Sequence, residues 1–385
     1  MVGKFGIFIR SYPKHEGGRE IFMQENKKTP KVSVIMPVFN ESKYIAKCID
    51  SLLLQDYPQE DMEWVFVDGA SPDDTKEIIG QYIEKYPDLI RVYDNPDKTV
   101  PYAMNIGIQN TTGKYIVRLD AHAEYQHDYI SQCVHFLDTT DADNVGGTID
   151  TKAHTKMGGR IAKMLSSRFG VGNANFRVNG SEGYVDTVPF GAFRREVFEN
   201  WGMYDERLTR NQDNEMNWRI RKNGGKIYMS HNIRCTYYCR DTIGGIARMA
   251  MQNGKWNVIT MRVCPGSMGV RHFIPFVFLM SLVIMPVLSV LWLPFALMFA
   301  AEMTLYTALD LLFSVKLAAS LHDDNRFVAA LALIILFPVF HICYGFGSLM
   351  GMFTLCTRKF RRDMLHRKAT KTAEAEQSPA FSSKK

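Results

Sequence analysis

An α/β fold with a doubly wound parallel sheet, followed by C-terminal transmembrane helices, is predicted by three features of the sequence. Short apolar runs rich in Val, Ile and Phe occur at 32–39, 65–68 and 115–120, as in strands buried on both faces of a sheet. Helical patterns separate these runs at intervals of about 25–30 residues, the length of a β–α–β unit. Near the C-terminus, 273–301 and 327–356 contain no charged residue, and each exceeds the roughly 20 residues that span a bilayer.

The first part of the chain alternates strands and helices. The helix after the first strand is indicated by apolar residues at helical spacing, among them Ile45, Ile49 and Leu52. Ser71 and Asp73 lie in a polar turn and can cap the helix that follows. The predicted elements are a strand at 32–39, a helix after 42, a strand at 63–68, a helix at 75–86, a strand at 90–94, a helix at 99–109 and a strand at 115–120.

The pattern becomes less regular after Asp120. The segment 151–185 is polar and contains glycine, so we expect a flexible loop region at the active site. Residues 248–262 form an amphipathic stretch just before the first predicted span. The remaining predicted elements are a helix at 128–137, a strand at 145–150, a strand at 188–193, a helix at 212–223 that stops at two glycines, and a strand at 226–229.

Basic residues flank the predicted spans. Arg262 and Arg271 precede the first span, and a basic cluster that begins at Arg358 follows the last. The positive-inside rule then places both flanks in the cytoplasm, so the number of crossings is even and two spans fit. The segment 303–320 carries Asp310 and Lys316, and we expect it at the membrane interface or in a tilted hairpin. The sequence therefore predicts a multi-pass protein of the cytoplasmic (inner) membrane whose catalytic domain faces the cytoplasm.

Four regions follow from these patterns. We predict an N-terminal extension (1–30), an α/β domain (31–262), a membrane domain (263–357) with two or more spans, and a basic cytoplasmic tail (358–385) with a disordered end. The apolar run at 5–9 is too short for a signal peptide. The tail suits anionic lipid headgroups better than nucleic acid, because it lies beside a span. The seven cysteines are scattered without a zinc-site pattern, and reduced structural thiols are expected.

Acidic side chains follow the predicted strands at the edge where ligands bind in open α/β sheets. Asp68 and Asp120 each end a strand, and His122 lies two residues after Asp120, so these two side chains can point the same way. A carboxylate and an imidazole can supply part of the shell of Mg²⁺ or Mn²⁺ and leave positions for phosphate oxygens and water. Taken alone, such an aspartate is more often a loop cap than a ligand.

Several motifs follow one another in order through residues 31–262. They are PVFNE (37–41), VDGASPDDT (67–75), an N-x-G at 105–107, RLDAHA (118–123), and GAFRREVFENWGMYDE (191–206) followed by QDNE (212–215). Together they resemble the inverting family 2 glycosyltransferases, and within them the membrane-anchored exopolysaccharide branch of the succinoglycan glucosyltransferase type. The resemblance implies a GT-A fold, with a Rossmann-like nucleotide-sugar-binding sheet and helices on both faces.

The resemblance implies how the strand ends bind a nucleotide-sugar. Asp68 would accept a hydrogen bond from a uracil-type base, which favours UDP. Asp120 and His122 stand at the D-x-D positions that hold the ribose, a divalent metal (Mg²⁺ or Mn²⁺) and the diphosphate. Histidine at the second position removes one negative charge, so metal affinity is expected to be lower. The residues expected to line the base and ribose are Pro37, Val38, Asn40 and Glu41.

The resemblance also implies a general base. Gln212-Asp213 matches the family's E-D pair, so Asp213 would deprotonate the acceptor hydroxyl as it attacks the anomeric carbon. Because glutamine replaces the glutamate, Asp213 is the sole carboxylate of this pair. Outside the motif context, a helix N-terminal aspartate is the favoured interpretation of Asp213. Arg194, Arg195 and Lys98 are candidate contacts of the diphosphate.

The segment at 247–256 bears on the type of transfer. It reads ARMAMQNGKW and lacks the Q-x-x-R-W motif of processive polysaccharide synthases, and two spans are few for a secretion channel. The resemblance therefore implies transfer of one sugar from a nucleotide-sugar to a lipid-linked glycan at the cytoplasmic membrane face, in exopolysaccharide or surface polysaccharide biosynthesis. The expected partners are the donor, a lipid-linked or polyprenyl acceptor and the membrane, and nucleic acid is not among them.

Three alternatives stay open at this point. A polyprenyl-phosphate sugar synthase would use the same chemistry with a bare lipid phosphate as acceptor. A catalytically inactive membrane scaffold would account for the departures at Gln212 and His122. A nucleotidyltransferase would release pyrophosphate, but it leaves Asp213 and the spans unexplained.

Overall fold

The structure, a computed structural model, describes residues 31–178, 180–321 and 325–357. The predicted N-terminal extension (1–30) and basic tail (358–385) lie outside the described residues. The strands are β1 (Val32–Val38), β2 (Met62–Asp68), β3 (Ile90–Asp94), β4 (Tyr115–Arg118), β5 (Ala123–Tyr125), β6 (Asn144–Lys152), β7 (Gly183–Tyr184), β8 (Ala192–Arg194) and β9 (Ile227–Tyr238). The helices are α1 (Ile45–Leu53), α2 (Thr75–Lys85), α3 (Val100–Gln109), α4 (Tyr129–Thr139), α5 (Lys156–Leu165), α6 (Arg168–Val171), α7 (Glu196–Trp201), α8 (Gln212–Lys222), α9 (Ile243–Val263), α10 (Ile274–Leu291), α11 (Leu293–Ala319) and α12 (Arg326–Cys356).

The strands form one mixed sheet in the order β3-β2-β1-β4-β8-β6-β9-β5, with β7 beside β9. The first four strands are parallel, as the sequence predicts, and β8 is antiparallel to β4. Alternate residues of β1 face two apolar cores: Val34 and Met36 pack in one, and Ile35 packs in the other. The predicted α/β fold with helices on both faces is confirmed, and its second half is mixed where a parallel sheet was expected.

The segment 151–185 differs from the predicted flexible loop because it contains α5 and α6. Thr155 caps α5 by accepting a hydrogen bond from the Gly158 amide at 3.0 Å. Ile161 and Met164 are fully buried and pack in a core shared with α12. Phe169 of α6 contacts both α11 and α12. Its ring stacks on Phe313 of α11 with centroids 5.4 Å apart, and it also contacts Phe337 of α12. The apolar residues that bury this segment lie about 150 residues further along the chain. The polar composition of the segment itself therefore gave no sign that it is buried.

Three helices in the described region are long and apolar enough to cross a membrane: 270–291, 293–319 and 326–356. The predicted span at 273–301 is wrong as a single helix, since the chain breaks at Trp292, which has extended backbone angles. Pro294 lacks the amide that would continue α10, and in the first turn of α11 the missing amide needs no partner within the helix. The segment 303–320, expected at the interface or in a tilted hairpin, lies in the 27-residue α11 up to Ala319.

The three membrane-type helices fold back on one another. Ser281 of α10 donates to the Glu302 carboxylate of α11 at 2.6 Å. Tyr306, one turn further along α11, stacks on Phe278 of α10 with centroids 4.4 Å apart. Its hydroxyl also lies 3.0 Å from His341 Nδ1 of α12. These polar contacts join the helices through groups that would be costly to leave unpaired in lipid.

The amphipathic helix α9 packs along α12 and so joins the α/β domain to the membrane-type helices. The two helices approach closely because each has a glycine that faces the backbone of the other. A Cβ atom on Gly254 would lie 2.0 Å from the Tyr344 carbonyl oxygen, and one on Gly347 would lie 2.0 Å from the Met251 carbonyl oxygen. A methyl group at either position requires the helices to separate.

We expect Gly254→Ala to lower the thermal unfolding temperature of the detergent-solubilised protein. Overpacking of this kind costs about 1–3 kcal/mol, which exceeds the gain in helix propensity of up to about 1 kcal/mol. Gly159→Ala in α5 is the matched control, because nothing lies within 4 Å of the added atom. An unfolding temperature lowered equally in both variants would contradict the close packing of α9 against α12.

Candidate active site

A cavity of about 830 Å³ lies at the carboxyl end of β4, between the starts of α8 and α9. Asp120, His122 and Asp213 all line it. The sequence separates Asp120 from Asp213 by more than ninety residues. The fold thus brings the predicted metal-binding pair and the predicted base to one space.

The buried side chain of Arg118 contacts both Asp120 and Asp213. One of its guanidinium nitrogens donates to Asp213 Oδ1, and another lies 3.3 Å from Asp120 Oδ1. The Arg118 side chain is 6% exposed, whereas that of Asp213 is 35% exposed and reaches the cavity. Burial raises the pKa of Asp213 above its ordinary value, and the positive charge of Arg118 opposes that shift. An enclosed carboxylate with a raised pKa is a stronger base than an exposed one.

Glu41 orients His122. Its carboxylate lies 3.1 Å from His122 Nδ1, and this hydrogen bond raises the pKa of the imidazole. The other ring nitrogen, Nε2, is then the atom available to a ligand. Metal-binding histidines commonly donate one ring nitrogen to a carboxylate in this way.

The end of β1 meets the end of β2, so several predicted nucleotide-binding residues lie together. Val38 pairs with Asp68 in the sheet register, and Pro37 precedes Val38 in β1. The buried Asp68 carboxylate accepts hydrogen bonds from the Ser71 hydroxyl at 2.6 Å and from its amide at 3.1 Å. The Ser71 hydroxyl oxygen in turn accepts from the amide of Asn40 at 3.0 Å. Asp68 therefore shapes the loop after β2, and its role toward a nucleotide base stays a prediction.

Arg194 and Arg195 do not face the cavity, so a diphosphate role does not fit their positions. Arg194 Nε donates to the Ala142 carbonyl at 2.9 Å, and Arg195 Nε donates to the Gly113 carbonyl at 2.6 Å. The antiparallel strand β8 directs the start of α7 away from the carboxyl ends of the parallel strands. Lys98 is exposed and lies outside the cavity, and its predicted contact stays a prediction.

Sequence reasoning missed Arg118 as a site residue, although a signal was present. An arginine inside the buried run YIVRLD is unusual, and side chains two apart in a strand point the same way. Gln212 is buried, and its Oε1 has no hydrogen-bond partner, although it lines the cavity. Three further cavity residues were not singled out because they lie on separate elements: Arg210, Arg240 and Arg248.

Comparison with known proteins identifies the family. The family model "Glycosyl transferase family 2" matches residues 33–202. A dolichyl N-acetyl-α-D-glucosaminyl phosphate 3-β-D-2,3-diacetamido-2,3-dideoxy-β-D-glucuronosyltransferase of Methanococcus voltae is 30% identical over 65% of this chain and 79% of its own. The succinoglycan biosynthesis protein ExoA of Rhizobium meliloti is 28% identical over 54% of this chain and 63% of its own.

The fold has a solved counterpart. The mannosyltransferase PcManGT from Pyrobaculum calidifontis, determined in complex with GDP-Man and Mn²⁺, aligns over 80% of this chain and 86% of its own, with a TM-score of 0.54 and 19% identity. This similarity supports the predicted GT-A fold. The family model, the Methanococcus relative and the fold agree with the order of motifs in 31–262, and the chain therefore belongs to glycosyl transferase family 2.

Proposed function

We propose that this protein is an inverting glycosyltransferase that moves one sugar from a UDP-sugar to a lipid-linked glycan at the cytoplasmic face of the membrane, in surface or exopolysaccharide assembly. The observation that carries the proposal is the position of Asp213 in one cavity with Asp120 and His122. This arrangement brings a candidate base into the same cavity as residues suited to a diphosphate.

Asp213 acts as the general base in this reaction. Its carboxylate removes the proton of the acceptor hydroxyl while the oxygen attacks the anomeric carbon from the face opposite the leaving nucleotide. Bond formation on one face and departure from the other invert the configuration, so no enzyme nucleophile is needed. Arg118 holds the Asp213 carboxylate in place, and the partial enclosure of Asp213 strengthens it as a base.

Asp120 and His122 suit a divalent cation that takes its remaining ligands from the donor. The described residues contain no group of three or more His, Cys, Asp or Glu side chains that could form a complete metal site. Mg²⁺ is commonly held by one or two carboxylates together with substrate phosphates and water, so a two-ligand site is consistent with a donor-assisted ion. When bound, such an ion neutralises charge on the departing nucleoside diphosphate. Glu41 would fix the His122 ring that ligates it.

The lipid-linked acceptor is supported by the membrane-type helices and by one relative. The name of the Methanococcus protein describes transfer to a dolichyl phosphate-linked sugar. In this chain α9 borders the cavity and packs along α12, so an acceptor embedded in lipid has a short path to Asp213.

The test is donor turnover by the full-length protein in membranes. UDP-, GDP- and dTDP-sugars are supplied with Mn²⁺, Mg²⁺ or EDTA, together with a lipid extract of the native host. We expect release of UDP from one sugar and loss of that release with EDTA. Sugar transfer to bare polyprenyl phosphate would support the polyprenyl-phosphate sugar synthase instead, and no release with any donor would overturn the proposal.

We expect His122→Ala to raise the metal concentration required for half-maximal activity by at least about tenfold, because one of two protein ligands is lost. The measurement is UDP release against Mn²⁺ concentration. His127→Ala is the matched control, since its imidazole is 74% exposed. An unchanged metal requirement in His122→Ala would remove His122 from the metal site.

A further inference from the structure

Arg210, Arg240 and Arg248 make one wall of the cavity cationic. Within 31–178, 180–321 and 325–357, none of the three has a carboxylate within ion-pair distance. The polar contact of Arg210 is to Asn253 Oδ1 at 3.4 Å. Burial lowers the pKa of Arg210, and the like charge of Arg240 lowers it further. All three residues are exposed, and guanidinium groups that line one cavity without a carboxylate partner suit an anionic ligand.

Two helix N-termini add to this positive wall. α8 begins at Gln212, and α9 begins after Thr242, whose hydroxyl accepts from the Gly245 amide at 3.1 Å. Residues of both first turns line the cavity. The amide groups and dipole of a helix N-terminus favour negative charge. Both helices therefore reinforce the arginines.

The carboxylates of the cavity cancel only part of this charge, because the three arginines of the lining and Arg118 outnumber Asp120, Asp213 and Asp241. Asp120 and Asp213 share the guanidinium of Arg118, which lies below the cavity. Asp241 is the third carboxylate of the lining, and its Oδ1 is buried without a hydrogen-bond partner. Gln212 Oε1 is likewise buried and unpartnered, so it can accept a hydrogen bond from a ligand hydroxyl. The lining thus suits a ligand that carries both a phosphate and hydroxyl groups.

The position of α9 indicates where this phosphate comes from. Arg248 and Asn253 lie on the side of α9 that faces the cavity, whereas Ile246 and Ala250 pack in a core with residues of α12. A phosphate that links a sugar to a membrane lipid lies at the level of the headgroups. One helix can therefore contact the membrane-type helices and the phosphate together.

We propose that Arg210, Arg240 and Arg248 bind the phosphate that joins the acceptor sugar to its lipid, and so hold the acceptor hydroxyl near Asp213. This inference rests on the proposed function, because it names the acceptor subsite of the same cavity. The arginines are assigned to the acceptor phosphate, and Asp120 and His122 to the donor.

The test measures binding without turnover, on the full-length protein in neutral detergent. The probes are decyl phosphate, decanol, inorganic phosphate and UDP, and the variants are Arg240→Gln and Arg248→Gln. Arg221→Gln is the matched control, because Arg221 lies exposed on α8 outside the cavity and the change in net charge is the same. Loss of one charge-assisted contact is expected to weaken decyl phosphate binding about tenfold or more. UDP binding should change less than about twofold, and Arg248→Lys should recover part of the loss.

Each other outcome overturns the inference. An equal loss of UDP binding would assign the arginines to the donor diphosphate. Inorganic phosphate bound as tightly as decyl phosphate would indicate a free-phosphate site, and decanol bound as tightly would remove the phosphate from recognition. No binding of decyl phosphate by the unmodified protein would exclude the subsite. Binding of the same variants to phosphatidylglycerol vesicles is measured in parallel, and a loss seen only there would assign the arginines to the membrane surface. A failure of the proposed function appears separately, as absence of UDP release from donor sugars.

Discussion

Replacing Asp213 with asparagine is expected to lower kcat about 10²–10⁴-fold, the usual contribution of a positioned general base. Asparagine keeps the size of the side chain but cannot take the acceptor proton. The Kd for UDP, measured by calorimetry, should change less than twofold, because the proposed function assigns Asp213 to the acceptor and not to the donor. An equal loss of UDP binding and turnover would contradict the assignment of Asp213 as base.

Asp241→Asn is the matched control for this experiment. Asp241 is another carboxylate of the same cavity, and it makes no contact with Arg118. We expect its replacement to affect kcat far less than that of Asp213. A larger loss in Asp241→Asn would transfer the role of base to Asp241.

Replacing Arg118 with methionine is expected to affect both stability and the pH dependence of turnover. The change leaves Asp120 and Asp213 without their shared cation, and breaking a buried pair costs about 3–5 kcal/mol. Because Asp213 is 35% exposed, solvent reduces the expected loss to about 2–3 kcal/mol. Denaturant unfolding in detergent measures this change.

The pH effect of Arg118→Met has a defined direction. The positive charge of Arg118 lowers the pKa of Asp213, so its removal raises that pKa further. Turnover needs the deprotonated carboxylate and is lost as the pH falls through its pKa. The acid limb of the kcat profile should therefore move to higher pH, while Arg118→Lys should keep it near its original position.

Arg219→Met provides a matched control for the Arg118 variant. Arg219 Nε donates to Glu215 at 2.9 Å in a largely buried pair on α8, outside the cavity lining. This variant should lose stability without a shift of the acid limb. An unchanged acid limb in Arg118→Met would show that Arg118 serves the fold alone.

Much of the α/β domain was predictable because its signals are local. β1, β2 and β4 are mostly apolar runs buried on both faces, and such burial permits little other than a central strand. Their parallel order then places Asp120 beside the end of β1. The motif resemblance also identified the family and the GT-A fold, which the comparisons confirm.

The sequence predicted that the C-terminal region is apolar enough to enter a membrane, but not how that region divides into helices. An uncharged run predicts insertion, since hydrophobicity and length suffice for that. Whether the run is one helix or two depends on a backbone turn at Trp292, and Pro294 was the available local signal. The sequence did not predict α11 as a membrane-spanning helix, because Asp310 and Lys316 interrupt its hydrophobicity. In the structure Asp310 is buried.

The amino-acid sequence by itself determined the parallel strands, the family motifs and the presence of long apolar helices, because these follow from the spacing and polarity of neighbouring residues. Only the tertiary structure decided that Arg118 joins Asp120 to Asp213, that Arg194 and Arg195 face away from the cavity, and that three separate arginines share one wall. These features depend on strand direction and on contacts between residues far apart in the chain. Local patterns carry no information on such contacts, since they arise only when the elements pack together.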